Sequence, residues 1–332
     1  MRTAGRAATY GILAIWSFVC LMPIYWLAIT SIKGPADIDR PPGYLPFADF
    51  TPSLHAWRFI FFEHNENLSS RLVNSGLISA AATVLTVGCG GLAIYGLTRC
   101  RLTLRLSALA AVAVPLVLGL GWALVTGRPS LAVLAVSVAV GLGVAIGMRG
   151  RGPVLSAGGG VAGLLATRVL SPVVLALPLY VFGEALGARD TLGFLALVYT
   201  AINLPVAVWL MLPVLGPRAS EQEEAAQIDG ASHLAILFTI VLPMVRSGVI
   251  AVGLIVFLLA WNEYLFAAYL TSDHALTLPP WAVGQLSMKE AQVGGGPEEV
   301  AHLAAANIVM VLPALGFAAF ALRSFGRTVR KG

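Results

Sequence analysis

The stretch SEQEEAAQIDGASHLAILFTIVLP, Ser220 to Pro243, is a compact block of acids and small residues set between long apolar runs. Its residue types suit docking rather than bond-making. Glu221, Glu223 and Glu224 offer carboxylates, and Ala225 and Ala226 put no bulk on one helix face, so another surface can approach closely. Ser220 and Glu223 have the spacing of a capping box, in which the serine caps the helix and the glutamate returns the hydrogen bond. The acids of the first turn also lie at the positive end of the helix dipole. The spacing predicts a helix to about Ile228, ended at Asp229-Gly230, where glycine can take the left-handed conformation that turns the chain. Ser232 then caps a second helix that runs into an apolar span, with Pro243 near its entry to the bilayer. A helix built to lie on lipid carries Lys and Arg on its polar face, and this one is acidic, so a protein is the expected partner.

Other polar groups sit inside or beside apolar runs. Asn203 precedes Pro205, which leaves the carbonyl of Ala201 without its helical donor. A broken helix with a nearby amide can line a solute path, or the amide can serve local backbone or a neighbouring helix. Trp261, Asn262, Glu263 and Tyr264 form a cluster able to grip a sugar by stacking and hydrogen bonding, or to sit in an interfacial aromatic belt. Asn74-Ser75 reads as a helix-end hydrogen-bonding pair, and Glu184 and Asp190, beside Arg189, as solvated loop charges. Cys20, Cys89 and Cys100 lie in or beside apolar segments with no metal-ligand spacing and read as small hydrophobes. Neither a GxxxxGK[ST] phosphate loop nor an HExxH zinc motif is present, so no catalytic or metal-ligating residue is expected, and no cofactor bound by this chain.

The elements that must position these residues are membrane spans. The chain has 332 residues, of which 58% are hydrophobic and 11% charged, and its mean hydropathy is +0.84. Soluble domains carry about 25% charged residues, which excludes an ordinary cytosolic protein. The formal charge of +5 does not point to nucleic acid, because the basic residues lie at the ends of apolar runs. At about 20 apolar residues per helix, eight spans are expected: Ala8–Thr30, Leu72–Leu97, Leu106–Val125, Leu131–Met148, Val154–Phe182, Leu192–Leu215, Ile236–Ala260 and Ala301–Leu322. The first is too long for a signal-peptide core of roughly 7–15 residues. If the spans alternate, Arg2, Arg6, Arg99, Arg101, Arg105, Arg149, Arg151, Arg218, Arg246, Arg323, Arg327, Arg330 and Lys331 fall on one side. The positive-inside rule makes that side cytoplasmic, so both termini and the Ser220 block face the cytoplasm. Lys33–Arg71 and Thr271–Val300 then become external loops with short helical pieces.

Glu224-Ala225-Ala226, three residues, Gly230, nine residues and Ile240-x-Leu242-Pro243 resemble the EAA motif of ATP-binding-cassette (ABC) importer permeases at every consensus position. The likeness extends over most of the chain. LMPIYWLAITSIK from Leu21, LVNSGLISAAATVLTV from Leu72, AIYGLTRCR from Ala93, TRVLSPVVLALPLY from Thr167 and WNEYLFAAYLTSDHALTLP from Trp261 all resemble maltose-type sugar permeases. The resemblance implies an all-α polytopic membrane protein with the type I importer permease fold, six core helices and a bacterial inner-membrane location. It implies that Glu224, Ala225, Ala226, Asp229 and Gly230 dock into a cleft on an ATPase subunit. It further implies an ATPase dimer that uses ATP and Mg, a second permease subunit and an extracytoplasmic solute-binding protein. The imported solute would be a sugar, polyol or glycerol phosphate. An autonomous ion-coupled transporter is the competing reading; it needs charged groups at mid-span, and Arg168 is the main candidate.

One departure stands out. The family passes directly from its Arg-ended second span to the next, whereas here 102–150 intervenes with two extra spans. The expected layout is therefore 1–101 with the first two spans, an inserted hairpin over 102–150, a core over 151–322 that holds the docking loop 220–243, and a cytoplasmic tail over 323–332. Gly143-x-x-x-Gly147 in the insert can pack a helix closely. The expected insert is peripheral and lipid-facing, with no transport chemistry.

Overall fold

The computed structural model describes residues 2–38, 43–63, 68–99, 104–105, 154–155, 157–169, 171–215, 221–283 and 297–329. Nearly everything described is helical. Extended pairing among the described residues is confined to a two-residue antiparallel ladder, Leu104–Arg105 (β1) with Val154–Leu155 (β2), and one bridge between Pro46 and Phe50. The ladder sets Leu104 opposite Leu155. The chain thus leaves and returns at one place around the expected insert, whose two spans lie outside the described residues.

Among the described residues, five helices are long and apolar enough to cross a membrane, or six if one bent pair is a single span. They coincide with six of the eight expected spans. Two compact units contain them. The first joins the chain's ends, residues 1–72 and 278–332. In it α1 (Arg2–Ser31) packs on the last long helix, Pro297–Val329. The most apolar window of α1 is only 6% buried, which fits a helix bathed in lipid. After α1 come α2 (Pro35–Ile38) and α3 (His55–Arg58). Lys33 is buried at the end of α1, with its ammonium 5.9 Å from the Trp26 ring and 5.3 Å from the Phe50 ring. Cation–π attraction replaces part of the water it has lost. His302 of the last helix stacks on Phe59 at 3.9 Å between ring centroids.

The second unit, residues 73–277, holds the expected docking block and pathway residues. Its helices are α4 (Leu68–Arg99, entering from the first unit), α5 (Ala157–Ala166), α6 (Pro172–Leu186), α7 (Leu192–Leu215), α8 (Glu221–Ile228), α9 (His233–Ile236), α10 (Leu242–Trp261) and α11 (Leu265–Leu270). One apolar cluster centres on Ile78, Leu195, Tyr199 and Leu270, another on Ile94, Met211, Leu215, Ile236 and Val256.

The expected span Val154–Phe182, interrupted by Pro172 and Pro178 in the sequence, is a bent pair of helices. Val161–Val169 and Pro172–Leu186 meet at 90°. Pro172 forces the residue before it out of the helical region, and Ser171 is extended at φ −58°, ψ 132°. Gly187, at φ +60°, ends α6: its N–H reaches Glu184 O and that of Ala188 reaches Gly183 O at 2.9 Å, the paired bonds of a Schellman turn. The reading of Asn74-Ser75 as a helix end is corrected. The helix starts six residues earlier, and Asn74 Nδ2 donates to His274 O at 2.9 Å and Leu276 O at 3.1 Å.

Asp190 is likewise no solvated loop charge. Its carboxylate accepts bonds from the Ser272, Asp273, His274 and Ala275 N–H groups and from the Ser272 hydroxyl, all at 3.0–3.1 Å. Partial burial alone would raise its pKa, but the N–H donors of Ala275, Ser272, His274 and Asp273 outweigh it and pull the value from 3.8 to about 2. Its neighbour Arg189 pairs with Glu184 at 2.8 Å. Because the folded pKa lies below the unfolded one, the clamp contributes fully above about pH 4 and is lost as pH falls through about 2. Asp190→Asn turns an amide N–H₂ toward N–H donors. Hydrogen exchange at 272–275 should speed up at least tenfold in that variant. In the native chain, protection corrected for intrinsic rates should stay flat from pH 7 to 4.

Candidate docking site and solute path

The docking block folds as its sequence predicts. α8 runs from Glu221 to Ile228, and Gly230 adopts φ +80°. Gly230 N–H reaches Gln227 O at 3.1 Å and Ala231 N–H reaches Ala226 O at 2.9 Å, so the turn is again a Schellman motif. The side chain of Ser232 accepts from Ala235 N–H at 3.3 Å and caps α9. A wide π-helical turn, Leu237–Val241, then joins α9 to α10, with Leu242 N–H bonded to Leu237 O. Pro243 lies in the first turn of α10, where a missing N–H costs least.

The block presents two faces. Glu224, Ala225, Asp229 and Gly230 are exposed, whereas Ala226, Ile240 and Leu242 are half-buried against the apolar cluster around Ile236 and Met211. Pro243 is exposed. The two alanines, expected on one helix face, thus differ: Ala225 is exposed, while Ala226 packs inward. Ile228, 87% exposed at the tip of α8, adds an apolar knob that sequence reasoning did not single out.

Glu223 also departs from expectation. Its capping partner Ser220 lies outside the described residues, and the Glu223 carboxylate is buried against Arg99, the last residue of α4. Arg99 Nε donates to Oε2 at 2.8 Å and Nη2 to Oε1 at 3.4 Å. In the sequence Arg99 reads only as one of many cytoplasmic charges, and nothing local links it to a residue 124 positions away.

A second polar group collects at the 90° bend. Buried Asn203 donates from Nδ2 to Tyr199 O at 2.9 Å and accepts at Oδ1 from Arg168 Nη2 at 2.9 Å. The amide thus satisfies its own helix and holds the guanidinium. Tyr199 Oη donates to Glu263 O at 3.1 Å, and Glu263 Oε1 accepts from the N–H groups of Leu265 and Phe266 at the start of α11. Arg168 and Glu263 interact electrostatically. Around them, Trp261 is buried and stacked on Phe257 at 5.9 Å, and Asn262 Nδ2 bonds Leu258 O at the end of α10. Tyr264 is exposed. The structure therefore brings Asn203, Glu263 and the backbone near Tyr264 into one network, with Arg168 as an added member.

A family model described as binding-protein-dependent transport system inner membrane component matches residues 139–331. The chain belongs to that family. Among similar proteins is the trehalose/maltose transport system permease protein MalG of Thermococcus litoralis, 23% identical over 90% of this chain and 86% of that protein. Another is the sulfoquinovosyl glycerol transport system permease protein SmoH of Agrobacterium fabrum, 26% identical over 78% and 72%. The inner membrane ABC transporter permease protein YcjP of Escherichia coli is 26% identical over 84% and 80%. The fold is that of a solved bacterial ABC transporter involved in the import of the acidic polysaccharide alginate. The TM-score is 0.65 at 16% identity, covering 98% of this chain and 97% of that one. This family member is thus a multi-pass inner-membrane component with an all-α ABC importer permease fold.

The cap at Ser232 supports the second half of the docking turn. Ser232→Ala should cost about 1 kcal/mol, an approximately fivefold faster hydrogen exchange over 233–236, and Ser232→Asp should restore the native rate.

Proposed function

We propose that this chain is the transmembrane half of an ATP-driven importer for a carbohydrate or related solute: a sugar, polyol or glycerol phosphate. The observation that carries this reading is the shape of 221–243: a short helix stopped by a left-handed glycine, a capped second helix, and Glu224, Ala225, Asp229 and Gly230 on the outside. Such a projection can seat in a cleft on an ATPase subunit, with Ala226, Ile240, Leu242 and Pro243 anchoring it to its own span. Hydrolysis of ATP with Mg belongs to that ATPase pair. A second permease subunit completes the pathway, and an extracytoplasmic binding protein delivers the solute. The trehalose/maltose and sulfoquinovosyl glycerol relatives support the carbohydrate assignment.

In this reading six core spans and a two-helix insert cross the membrane, with both termini cytoplasmic, as the arginine distribution supports. The mechanism is alternating access: closure of the ATPases moves α8 and, through it, the spans. The break at Ser171 and the Arg168–Asn203 pair supply a polar lining, because discontinuous helices put unsatisfied backbone beside a solute route. An intramembrane arginine is costly, and its placement on Asn203 near Glu263 keeps it paired.

Gly230→Pro removes the N–H bonded to Gln227 and cannot adopt φ +80°. That variant and Glu224→Lys should each lower co-purification of the ATPase subunits at least tenfold and abolish uptake. Unchanged association in both would sink the docking reading and favour an autonomous ion-coupled transporter. Asn203→Leu frees the Arg168 guanidinium and should cut the maximal rate of uptake severalfold while ATPase association stays native. A radiolabelled panel of disaccharides, polyols and glycerol 3-phosphate measures this.

A further inference from the structure

We propose that the Arg99–Glu223 ion pair is the joint through which movement of the docking helix reaches transmembrane helix α4. Both would be positioning residues for transport. The inference rests on the docking reading above. Adjacent glutamates of α8 have opposite surroundings: Glu224 is exposed, whereas Glu223 is only 3% exposed and turned to Arg99. The sequence repeats one residue type, and the structure divides it into an outward contact and an inward one.

The pair is built to resist displacement. Two guanidinium nitrogens meet two carboxylate oxygens, at 2.8 and 3.4 Å, which opposes rotation of α8 about its own axis as well as withdrawal. The side chains are 9% and 4% exposed, so water screens the contact little. Exposed ion pairs lack that shielding.

Among the described connections from α8 toward the membrane, the covalent one toward α10 and the contact with Arg99 differ in stiffness. The covalent route toward α10 crosses the left-handed turn at Gly230, a break that can absorb a push, before it enters the continuous helix His233–Trp261 with its π-helical turn at Leu237–Val241. The route through Arg99 enters α4, a 32-residue helix without an internal proline. From Arg99 back to Asn74 this rod is about 38 Å long. At its far end Asn74 holds the carbonyls of His274 and Leu276. Asp190 clamps the same loop at 272–275. Hydrogen-bonded joints thus hold one unbroken helix at Arg99 and at Asn74, joining the cytoplasmic docking helix to the external loop.

The test needs no knowledge of the solute. The transporter, assembled with its ATPase and second permease subunit, carries Ser272→Cys in a background where Cys20, Cys89 and Cys100 are serine. A membrane-impermeant maleimide labels the introduced thiol without nucleotide and with ATP and vanadate. Labelling rates in the two states should differ at least fivefold. Arg99→Ala and Glu223→Gln should each reduce that ratio to below twofold while the ATPase subunits still co-purify. The reversed pair, Arg99→Glu with Glu223→Arg, should restore at least half of the response. If a single variant fails to assemble, Asn74→Ala, which leaves α8 untouched, should give the same loss. The inference is overturned if the starting background shows no nucleotide response or if both single variants keep the full one. It also fails if the reversed pair assembles but stays unresponsive, or if Asn74→Ala keeps the full response. Glu224→Lys and Gly230→Pro in the same assay separate the two claims: retained ATPase binding in both defeats docking itself, whereas lost binding there with a full response in Arg99→Ala defeats only the joint.

Discussion

Hydrocarbon offers a polypeptide no hydrogen bonds, and that one constraint organises this molecule. A backbone in lipid must satisfy itself, which leaves the helix as the spanning element and makes every helix break a place where other groups must step in. The breaks described here obey it. At Gly187 and Gly230 paired backbone bonds close the exposed carbonyls. Between α10 and α11, Asn262 bonds the end of one helix and Glu263 takes up the first N–H groups of the next. Beside the bend at Ser171, Asn203 serves Tyr199 and Arg168 at once.

The same scarcity of polar partners governs the charges. An ion far from water costs several kcal/mol even after relaxation, so each charge kept inside needs a dedicated contact. Arg99 has Glu223 and Lys33 has the rings of Trp26 and Phe50, while half-buried Asp190 has a loop of N–H donors. Among the described residues such contacts are few, and those of Arg99 and Asp190 each fix two segments distant in sequence. In an apolar chain with 11% charged residues, a small number of them can therefore define which helices move together.

Much of the site was legible beforehand because its cues are local. The end of α8 at Ile228, the glycine turn and the cap at Ser232 depend on residues within four or five positions of one another, and local backbone chemistry decides them. The apolar spans were legible for a similar reason, since length and composition suffice. The 90° bend was visible only as Pro172, because a proline says that a helix is interrupted but not through what angle. Asn74, Asp190 and Glu223 were misread or half-read, and each one's partner lies 80 or more residues away.

The sequence by itself thus determined a membrane-spanning helical chain with one acidic helix–turn–helix projection, since hydropathy, capping and glycine act over one or two helical turns. Only the tertiary structure decided which glutamate faces outward and which holds Arg99, which loop Asp190 clamps, and what Asn203 is for. Those outcomes depend on helices meeting across a packed interior, where an unpartnered polar group costs too much to leave, and no local pattern records which distant residue will arrive to pair with it.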